Sequence, residues 1–260
     1  MKQRQTCSGC RDDLPLGFAF EMAFQPIVDV SAQRIWGHEA LVRGPNGEAA
    51  PSILANVTED NRYRFDQLCR VKAIEAAGRL FDDEHLRLSI NFMPNAVYEP
   101  AACIRTSLEA ARRVGFPSER IMFEFTEDER VHDAGHIERI IAEYHRLGFI
   151  TALDDFGAGY AGLKLLAEYQ PDLLKIDMAL LRGIDVNQAK QVIVAGIAEI
   201  ARALDITVIA EGVETEKELT VLRATGIRLF QGYLFARPSF QALSPVPMLA
   251  TGSMDVAGVA

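Results

Sequence analysis

Short runs of β-branched and aromatic residues alternate with longer amphipathic segments along most of the chain, starting near Glu21. This alternation is typical of strand and helix units that wind around a parallel sheet, so it predicts an α/β fold. The candidate strands are residues 21–28, 34–41, 86–91, 121–125, 149–153, 173–176, 207–210 and 228–233. The candidate helices are residues 60–81, 101–114, 134–147, 158–169, 186–204 and 216–225.

The first two candidate strands should pair with each other in a different way from the rest. Only residues 29–33 separate them, which is too short for the crossover helix that a parallel pair needs. We therefore expect an antiparallel pair. Eight strands and this number of helices predict a TIM-like (β/α)8 barrel with an irregular opening hairpin. A doubly wound open sheet is the alternative.

The size and composition of the chain suit one large domain. The chain has 260 residues, of which 49% are hydrophobic and 24% are charged, so it can bury a substantial core. We place this domain at residues 18–245. Residues 1–17 are interpreted as an N-terminal tail that carries Cys7 and Cys10, and residues 246–260 as a C-terminal tail.

Charge and hydropathy exclude several classes of partner. The net charge of −9 argues against binding to a DNA or RNA polymer, because phosphate backbones are held by basic surfaces. No apolar run reaches the ~18 residues of a membrane span, so we expect no membrane contact and a cytoplasmic location. Four cysteines are too few for a disulfide scaffold in a chain of this length, and we expect reduced thiols.

Acidic residues recur where the short apolar runs end. Asp154 and Asp155 directly follow the run at residues 149–153, and Glu39, Glu124 and Glu211 lie at or near the ends of three other runs. In a parallel barrel the carboxyl ends of all strands meet at one mouth. Carboxylates gathered there repel one another, so a fold that collects them usually does so around cations.

The donor atoms indicate which cations these would be. Carboxylate oxygens, with the carboxamide of Asn91, are hard ligands that suit Mg²⁺ or Mn²⁺, whereas catalytic zinc usually takes imidazole or thiolate ligands. Two adjacent aspartates could serve two ions about 3.5–4 Å apart, which is the arrangement of two-metal hydrolases. Lys175 and Asp177 reach the same mouth, where Lys175 could hydrogen-bond a bridging water or stabilise negative charge that develops on a phosphate.

At the motif Glu39-Ala40-Leu41-Val42-Arg43 the chain resembles the EAL-domain cyclic di-GMP phosphodiesterases, and the resemblance runs from about Phe18 to Pro238. Seven further motifs in the expected order support it. They are Phe24-Gln25-Pro26-Ile27, Ser89-Ile90-Asn91, Glu124-Phe125-Thr126-Glu127, Asp154-Asp155-Phe156-Gly157, Lys175-Ile176-Asp177, Ala210-Glu211-Gly212-Val213-Glu214 and Gln231-Gly232-Tyr233.

The resemblance implies a TIM barrel with an antiparallel first strand, and hydrolysis of one phosphodiester bond of cyclic di-GMP to linear pGpG with two Mg²⁺ or Mn²⁺ ions. Asp154 would bridge the two ions. The resemblance assigns Glu39, Asn91, Glu124 and Asp154 to the first ion, and Asp154, Asp155 and Glu211 to the second. It also implies a homodimer.

The resemblance implies roles for the remaining motif residues. Lys175 would contact the attacking water, and Glu127 would brace the glycine-rich loop that follows Phe156. Substrate or catalytic water would contact Gln25, Arg43 and Gln231. Arg43 suits a phosphate clamp because guanidinium offers a planar fork of donors. Asp177 and Glu214 would support the residues that bind the ions.

Three alternatives are open at this point. A receptor that binds cyclic di-GMP without cleaving it would share most of these motifs. An enolase-like barrel would also use a lysine and carboxylate-bound Mg²⁺, but it would need a large capping domain. The Cys7-x-x-Cys10 pair could be half of a zinc site or a redox pair, although no second such pair completes it.

Overall fold

The computed structural model describes residues 16–126, 134–159 and 162–250 of the chain. Nine strands are present in this part: β1 (Glu21–Asp29), β2 (Arg34–Arg43), β3 (Arg87–Asn91), β4 (Ile121–Thr126), β5 (Ile150–Phe156), β6 (Leu173–Ile176), β7 (Thr207–Ala210), β8 (Leu229–Phe230) and β9 (Ser239–Phe240). Ten α-helices lie between and after them: α1 (Ala50–Leu54), α2 (Arg62–Leu80), α3 (Pro100–Cys103), α4 (Arg105–Val114), α5 (Ala134–Arg146), α6 (Gly162–Glu168), α7 (Met178–Leu181), α8 (Gln188–Ala203), α9 (Glu216–Ala224) and α10 (Pro247–Ala250).

Strands β1 to β8 close into a barrel. From β2 to β8 each strand pairs with the next in parallel, and β1 pairs antiparallel with both β2 and β8, which closes the sheet. Strand β9 lies outside the ring and pairs with β1 at Ala23 and Phe24. The predicted TIM-like barrel with its antiparallel first strand is confirmed, and the doubly wound open sheet is excluded.

Several predicted boundaries were wrong. Strand β2 continues through Glu39 to Arg43, and β5 continues through Asp154 and Asp155 to Phe156. The acids therefore lie within strands, because ladder pairing with the neighbouring strands extends past them. The helix predicted at residues 101–114 is divided into α3 and α4, residues 158 and 159 of the helix predicted at residues 158–169 are not helical, and β8 has two residues.

The core has two layers on opposite faces of the strands. Outside the ring, buried residues of the strands pack against the helices in one large cluster. Inside the ring, a smaller apolar cluster fills the lower part of the barrel. Its buried members are Ile27, Met122, Ala152, Leu173, Ile209 and Leu229. Because strand side chains alternate between faces, the residue two positions after an inner one also points inward, one level higher.

In the described part of the chain, no helix combines the length and the apolar composition that a membrane crossing requires. The domain limits at residues 17 and 246 stay predictions. Val246 is buried and α10 follows it directly. Residues 1–15, which include Cys7 and Cys10, and residues 251–260 lie outside the described part.

Glu218 ties together the segments that follow β6 and β7. Its carboxylate accepts hydrogen bonds from the backbone N–H of Gly183 at 2.9 Å and of Glu214 and Thr215 at 3.1 Å, and Thr215 caps α9 in return. Burial by itself would raise the pKa of Glu218, but these backbone donors lower it below its ordinary value. The carboxylate therefore stabilises the fold at pH values above the ordinary pKa of glutamate, and this contribution is lost as the pH falls through the lower, folded value.

We expect Glu218→Ala to lower the free energy of unfolding by about 2–4 kcal/mol at pH 7, because it leaves three backbone donors unpaired and removes half of a capping box. Urea unfolding followed by circular dichroism would measure this. Glu216→Ala, an exposed position in the same first turn, serves as the control and should cost less than about 1 kcal/mol. Equal losses in the two variants would contradict this account of Glu218.

Candidate metal centre and substrate pocket

Strand alternation places the polar site directly above the inner apolar cluster. Each of five inner residues is followed two positions later by a polar one, so the barrel interior changes from apolar to charged within one level. These pairs are Met122 and Glu124, Ala152 and Asp154, Leu173 and Lys175, Ile209 and Glu211, and Leu229 and Gln231. Gln25 lies two positions before Ile27 instead, because β1 runs in the opposite direction.

Lys175 lies at the centre of this level with its ammonium group among four carboxylates. Its Nζ atom is 2.6 Å from Glu211 Oε1, 2.9 Å from Glu124 Oε2, 3.2 Å from Asp154 Oδ1 and 3.6 Å from Glu39 Oε2. The side chain is only 1% exposed. Burial alone would lower the pKa of Lys175, but the surrounding carboxylates raise it well above its ordinary value, so the lysine is a fixed positive charge.

Amide side chains orient the carboxylate of Glu39. Asn91 donates from Nδ2 to Glu39 Oε1 at 2.8 Å, and Gln231 donates from Nε2 to Glu39 Oε2 at 2.7 Å. The same Gln231 nitrogen lies 3.2 Å from Gln25 Oε1, and Gln25 donates to the carbonyl of Ala236 at 3.2 Å. The structure thus joins residues of β1, β2 and β3 with Gln231, which directly follows β8, in one network around the Glu39 carboxylate.

The adjacent aspartates occupy an irregularity in β5. The register between β5 and β6 shifts between Leu153 and Phe156, and Asp155 has a left-handed backbone with φ 54°. The Asp155 N–H donates to Asp154 Oδ1 at 2.9 Å. Aspartate tolerates this conformation better than most residues, and bulges often redirect side chains at functional sites. Here the bulge lets two successive acids serve the same site.

Three acids of the site, Glu124, Asp155 and Glu211, hold their protons more strongly than free carboxyl groups do. Burial, with the repulsion of Glu39 and Asp154, raises the pKa of Glu124 to about 8 even though Lys175 opposes the shift. Burial and the charge of Asp154 also raise the pKa of Glu211 well above its ordinary value. Burial, Asp154 and Asp177 raise the pKa of Asp155 to about 6. One lysine therefore does not compensate for the clustered acids, and a further cation would relieve the excess charge.

The donor set fits divalent cations. Two groups of acids each bring one ligand oxygen per residue within 4.8 Å of the others, Glu39, Glu124 and Asp154 in the first and Asp154, Asp155 and Glu211 in the second. Asp154 belongs to both. The Oε1 atom of Glu124 is buried and has no hydrogen-bond partner among the described residues, so an acceptor in the first group is available for a cation. Asn91 lies beside this group through its bond to Glu39.

A pocket of about 250 Å³ opens above these acids. Gln25, Glu39, Asp155, Asp177, Glu211, Glu214 and Gln231 are among its lining residues, together with Arg182 and Tyr233. Gly232 allows the close approach of two segments at its floor, because a Cβ atom there would lie 2.1 Å from the carbonyl oxygen of Val213. An anionic substrate could therefore enter directly above the carboxylates and Lys175.

Two of the predicted supporting residues have other partners within the mouth. Asp177 accepts from the N–H of Ala179 at 2.8 Å and thereby caps α7. Glu214 forms an ion pair with Arg182, whose Nη1 lies 2.6 Å from Glu214 Oε2. Sequence reasoning missed Arg182, because the contact joins segments 32 residues apart that come together only in the barrel.

Arg43 is the predicted substrate contact that the structure does not bring to this pocket. Its Nη1 donates to the carbonyl of Val42 at 2.7 Å, and it is not among the residues that line the pocket. It lies four positions beyond Glu39 on β2, or about 13 Å along a strand. Glu127, predicted to brace the glycine-rich loop, lies outside the described residues.

The family model for the EAL domain matches residues 12–238. The chain belongs to this family, as the sequence motifs indicated. An enolase-like barrel is therefore no longer an alternative.

Two solved structures share the fold and part of the sequence. One is a standalone versatile EAL protein from Vibrio cholerae O395 in a c-di-GMP bound form, with 53% identity, a TM-score of 0.87, and coverage of 91% of this chain and 99% of that one. The other is BlrP1 from Klebsiella pneumoniae in a manganese/cy-diGMP complex at pH 6, with 36% identity, a TM-score of 0.83, and coverage of 90% of this chain and 59% of that one.

Curated relatives carry two kinds of name. The cyclic di-GMP phosphodiesterase NbdA of Pseudomonas aeruginosa is 30% identical over 84% of this chain and 29% of its own length. The blue light- and temperature-regulated antirepressor BluF of Escherichia coli is 32% identical over 88% of this chain and 56% of its own length. The chain thus spans about half or less of the length of these two relatives.

We expect Mn²⁺ or Mg²⁺ to raise the melting temperature of the metal-free protein, because a ligand that binds only the folded state stabilises it. At a ligand concentration one hundred times Kd, the free energy of unfolding rises by about 2.7 kcal/mol. Differential scanning calorimetry with and without metal would measure the shift. Asp154→Asn removes a ligand from both acid groups and should abolish most of it.

Asp205→Asn is the matched control, because Asp205 is exposed and lies before β7, at the opposite end of the barrel. This variant should keep the full metal-induced shift. A shift of the same size in the Asp154 and Asp205 variants would show that the cation binds elsewhere.

Proposed function

We propose that this chain hydrolyses one phosphodiester bond of cyclic di-GMP to give linear pGpG, with two Mg²⁺ or Mn²⁺ ions. The observation that carries the proposal is the pair of acid groups that share Asp154, next to the buried Lys175 and below an open pocket. Relatives named as a phosphodiesterase or solved with c-di-GMP or manganese support the substrate and the metal.

In this proposal Glu39, Asn91, Glu124 and Asp154 hold one ion, and Asp154, Asp155 and Glu211 hold the other. When bound, the ions supply Lewis acidity that lowers the pKa of water and polarises phosphoryl oxygens. Asp154 fixes the spacing between the two positions because it serves both groups. Binding of the cations would release the protons of the acids whose pKa values are raised into solvent.

Lys175 orients the attacking water and stabilises negative charge on the phosphate as it develops. The ammonium group suits this role because it is buried, permanently charged and held by several carboxylates, so it needs little reorganisation during the reaction. Gln25 and Gln231 support the site in this proposal by holding the Glu39 carboxylate in place. Asp177 supports the mouth by capping α7, and Glu214 supports it through its ion pair with Arg182.

The contacts of Gln25, Arg43 and Gln231 with substrate or catalytic water stay predictions, and so does the bracing role of Glu127. If cyclic di-GMP extends along β2 beyond Glu39, one of its phosphates would lie closer to Arg43 than a phosphate that stays within the pocket. The cytoplasmic location and the absence of membrane, DNA and RNA partners also stay predictions from the sequence.

Incubation of the purified protein with cyclic di-GMP and Mn²⁺ or Mg²⁺ should yield pGpG on chromatography. Asp154→Asn should lower the rate by at least about 10²- to 10³-fold, because it removes a group from both ion positions. Asp155→Asn should chiefly weaken the second ion, so higher metal concentration should restore part of its rate. Asp205→Asn should retain the wild-type rate.

The second candidate function is a receptor that binds cyclic di-GMP without cleaving it. The antirepressor name of BluF is the observation that favours it. The intact acid groups and Lys175 count against it, since binding alone does not require two groups of cation ligands. Tight binding in equilibrium dialysis, with no pGpG formed in the presence of either metal, would establish the receptor and contradict hydrolysis.

We also propose that the chain forms a homodimer through an apolar face on α6 and α8. Leu163, Val192 and Ile193 are 62%, 66% and 49% exposed, and they line one groove together with Gly157 and Gly159. Exposed apolar patches of this kind commonly mark interaction sites, and a two-fold axis would place the same patch of each copy against the other.

We expect Val192→Asp/Ile193→Asp to convert the dimer to a monomer, because the substitution buries two charges in the apolar contact. Light scattering coupled to size exclusion would report the mass. Ala195→Asp adds a charge to an exposed position of α8 that does not line the groove, and should leave the dimer intact. A monomeric wild-type protein at micromolar concentration would contradict the proposal.

A further inference from the structure

A buried ion pair joins Asp66 and Arg70, one turn apart on α2. Asp66 Oδ2 lies 2.6 Å from Arg70 Nη2, and Arg70 Nη1 donates to the hydroxyl of Tyr144 at 2.8 Å. The two residues are only 2% and 0% exposed. Removal of two charges from water costs several kcal/mol per ion, and an apolar pair of similar volume is often at least as stable. Stability alone therefore does not account for charges at these positions.

The second oxygen of Asp66 holds the turn that follows β3. Met93 donates its backbone N–H to Asp66 Oδ1 at 2.9 Å. On the other side of this turn, Phe92 donates its N–H to the carbonyl of Glu124 at 2.9 Å, and its ring centroid lies 5.2 Å from the guanidinium carbon of Arg70. The segment Asn91-Phe92-Met93 is therefore fixed between β4 and the ion pair.

The packing around this turn is incomplete on one side. A largely apolar cavity of about 380 Å³ lies against it, and its lining includes Phe65, Asp66, Asn91, Phe92 and Met93. Close-packed side chains normally fix a backbone segment, and the cavity interrupts that packing. On this side the directional bond from Met93 to Asp66 restrains the turn, in addition to the packing of the Phe92 ring against neighbouring aromatic rings. The charge of Arg70 in turn restrains the Asp66 carboxylate.

The geometry points to the Asp66–Arg70 pair as a positioning device for the cation site. The pair fixes the turn after β3 and, through the turn, the side chain of Asn91, which donates to Glu39 at 2.8 Å beside the first acid group. The inference rests on the metal site proposed above and assigns to it two residues that do not touch it. Both are positioning residues, because they act through Asn91.

Replacement of the pair by apolar residues tests the inference. Asp66→Leu/Arg70→Met should fold, as thermal melting would show, yet its affinity for Mn²⁺ in isothermal titration calorimetry should fall about 5- to 10-fold, because the pair acts on the ligands indirectly and the loss of a group bonded directly to a ligand costs about 10- to 100-fold. The control is the ion pair between Glu75, which is half-buried on α2, and the exposed Arg113 on α4. Glu75→Gln/Arg113→Gln should bind Mn²⁺ as the wild type does.

A second background separates a positioning role from a general structural one. In Asn91→Ala protein the same double substitution should change the Mn²⁺ affinity by less than about twofold, because the residue through which the pair acts is gone. Tyr144→Phe removes only one partner of Arg70 and should weaken Mn²⁺ binding about two- to fivefold, again only while Asn91 is present. It keeps the inference testable if the double variant does not fold.

An unchanged Mn²⁺ affinity in folded Asp66→Leu/Arg70→Met or in Tyr144→Phe would overturn the inference, and so would an equal loss with and without Asn91. A wild-type protein that binds no Mn²⁺ would overturn it together with the metal site. If Mn²⁺ binding depends on the pair but no cyclic di-GMP is cleaved, the positioning role holds and only the proposed hydrolysis fails.

Discussion

The contact between the Lys175 ammonium group and the acids that surround it is the interaction around which the mouth of this barrel is organised. Without a cation, carboxylates from β2, β4, β5 and the end of β7 would repel one another at distances of a few ångströms. One buried lysine lowers this repulsion, although burial and the neighbouring acids still raise the pKa values of Glu124 and Glu211 above their ordinary values. Lys175 therefore stabilises the cluster of acids, and the negative charge that remains favours the binding of further cations. Its ligands come from distant parts of the chain, so it requires the closed barrel.

Closure of the barrel depends in turn on the direction of β1. Because β1 runs against its neighbours, it pairs with β2 through a short connection and completes the ring against β8. The same reversal places Gln25 before the inner apolar residue Ile27, whereas the parallel strands place their polar residues after the inner ones. The network from Gln25 through Gln231 to Glu39 is thus a direct result of an antiparallel strand in an otherwise parallel barrel.

Much of the fold could be predicted from local pattern. The bounds of β6 and β7 agree with the prediction, because Leu173–Ile176 and Thr207–Ala210 are short β-rich runs between clear breaks. The strands that carry acids were predicted too short. Acidic residues disfavour strands by local preference, so β5 was predicted to end before Asp154, which nevertheless pairs with Thr126 in the completed ladder. Arg182 and the Asp66–Arg70 pair were missed because neither lies in a motif and each gains its meaning from a partner brought close by folding.

The sequence by itself determined the order of strands and helices, the antiparallel opening pair, the family and the acids that would share a site, because these follow from periodicity, spacing and motif. Only the tertiary structure decided which oxygens face each other, that Asp154 belongs to both acid groups, and that Arg43 does not line the pocket. It also decided that a buried ion pair on α2 restrains the turn beside Asn91. The physical reason is that a side chain's direction and its charge environment depend on strand register, the bulge in β5 and burial, and each of these is set by neighbours that are distant in the chain.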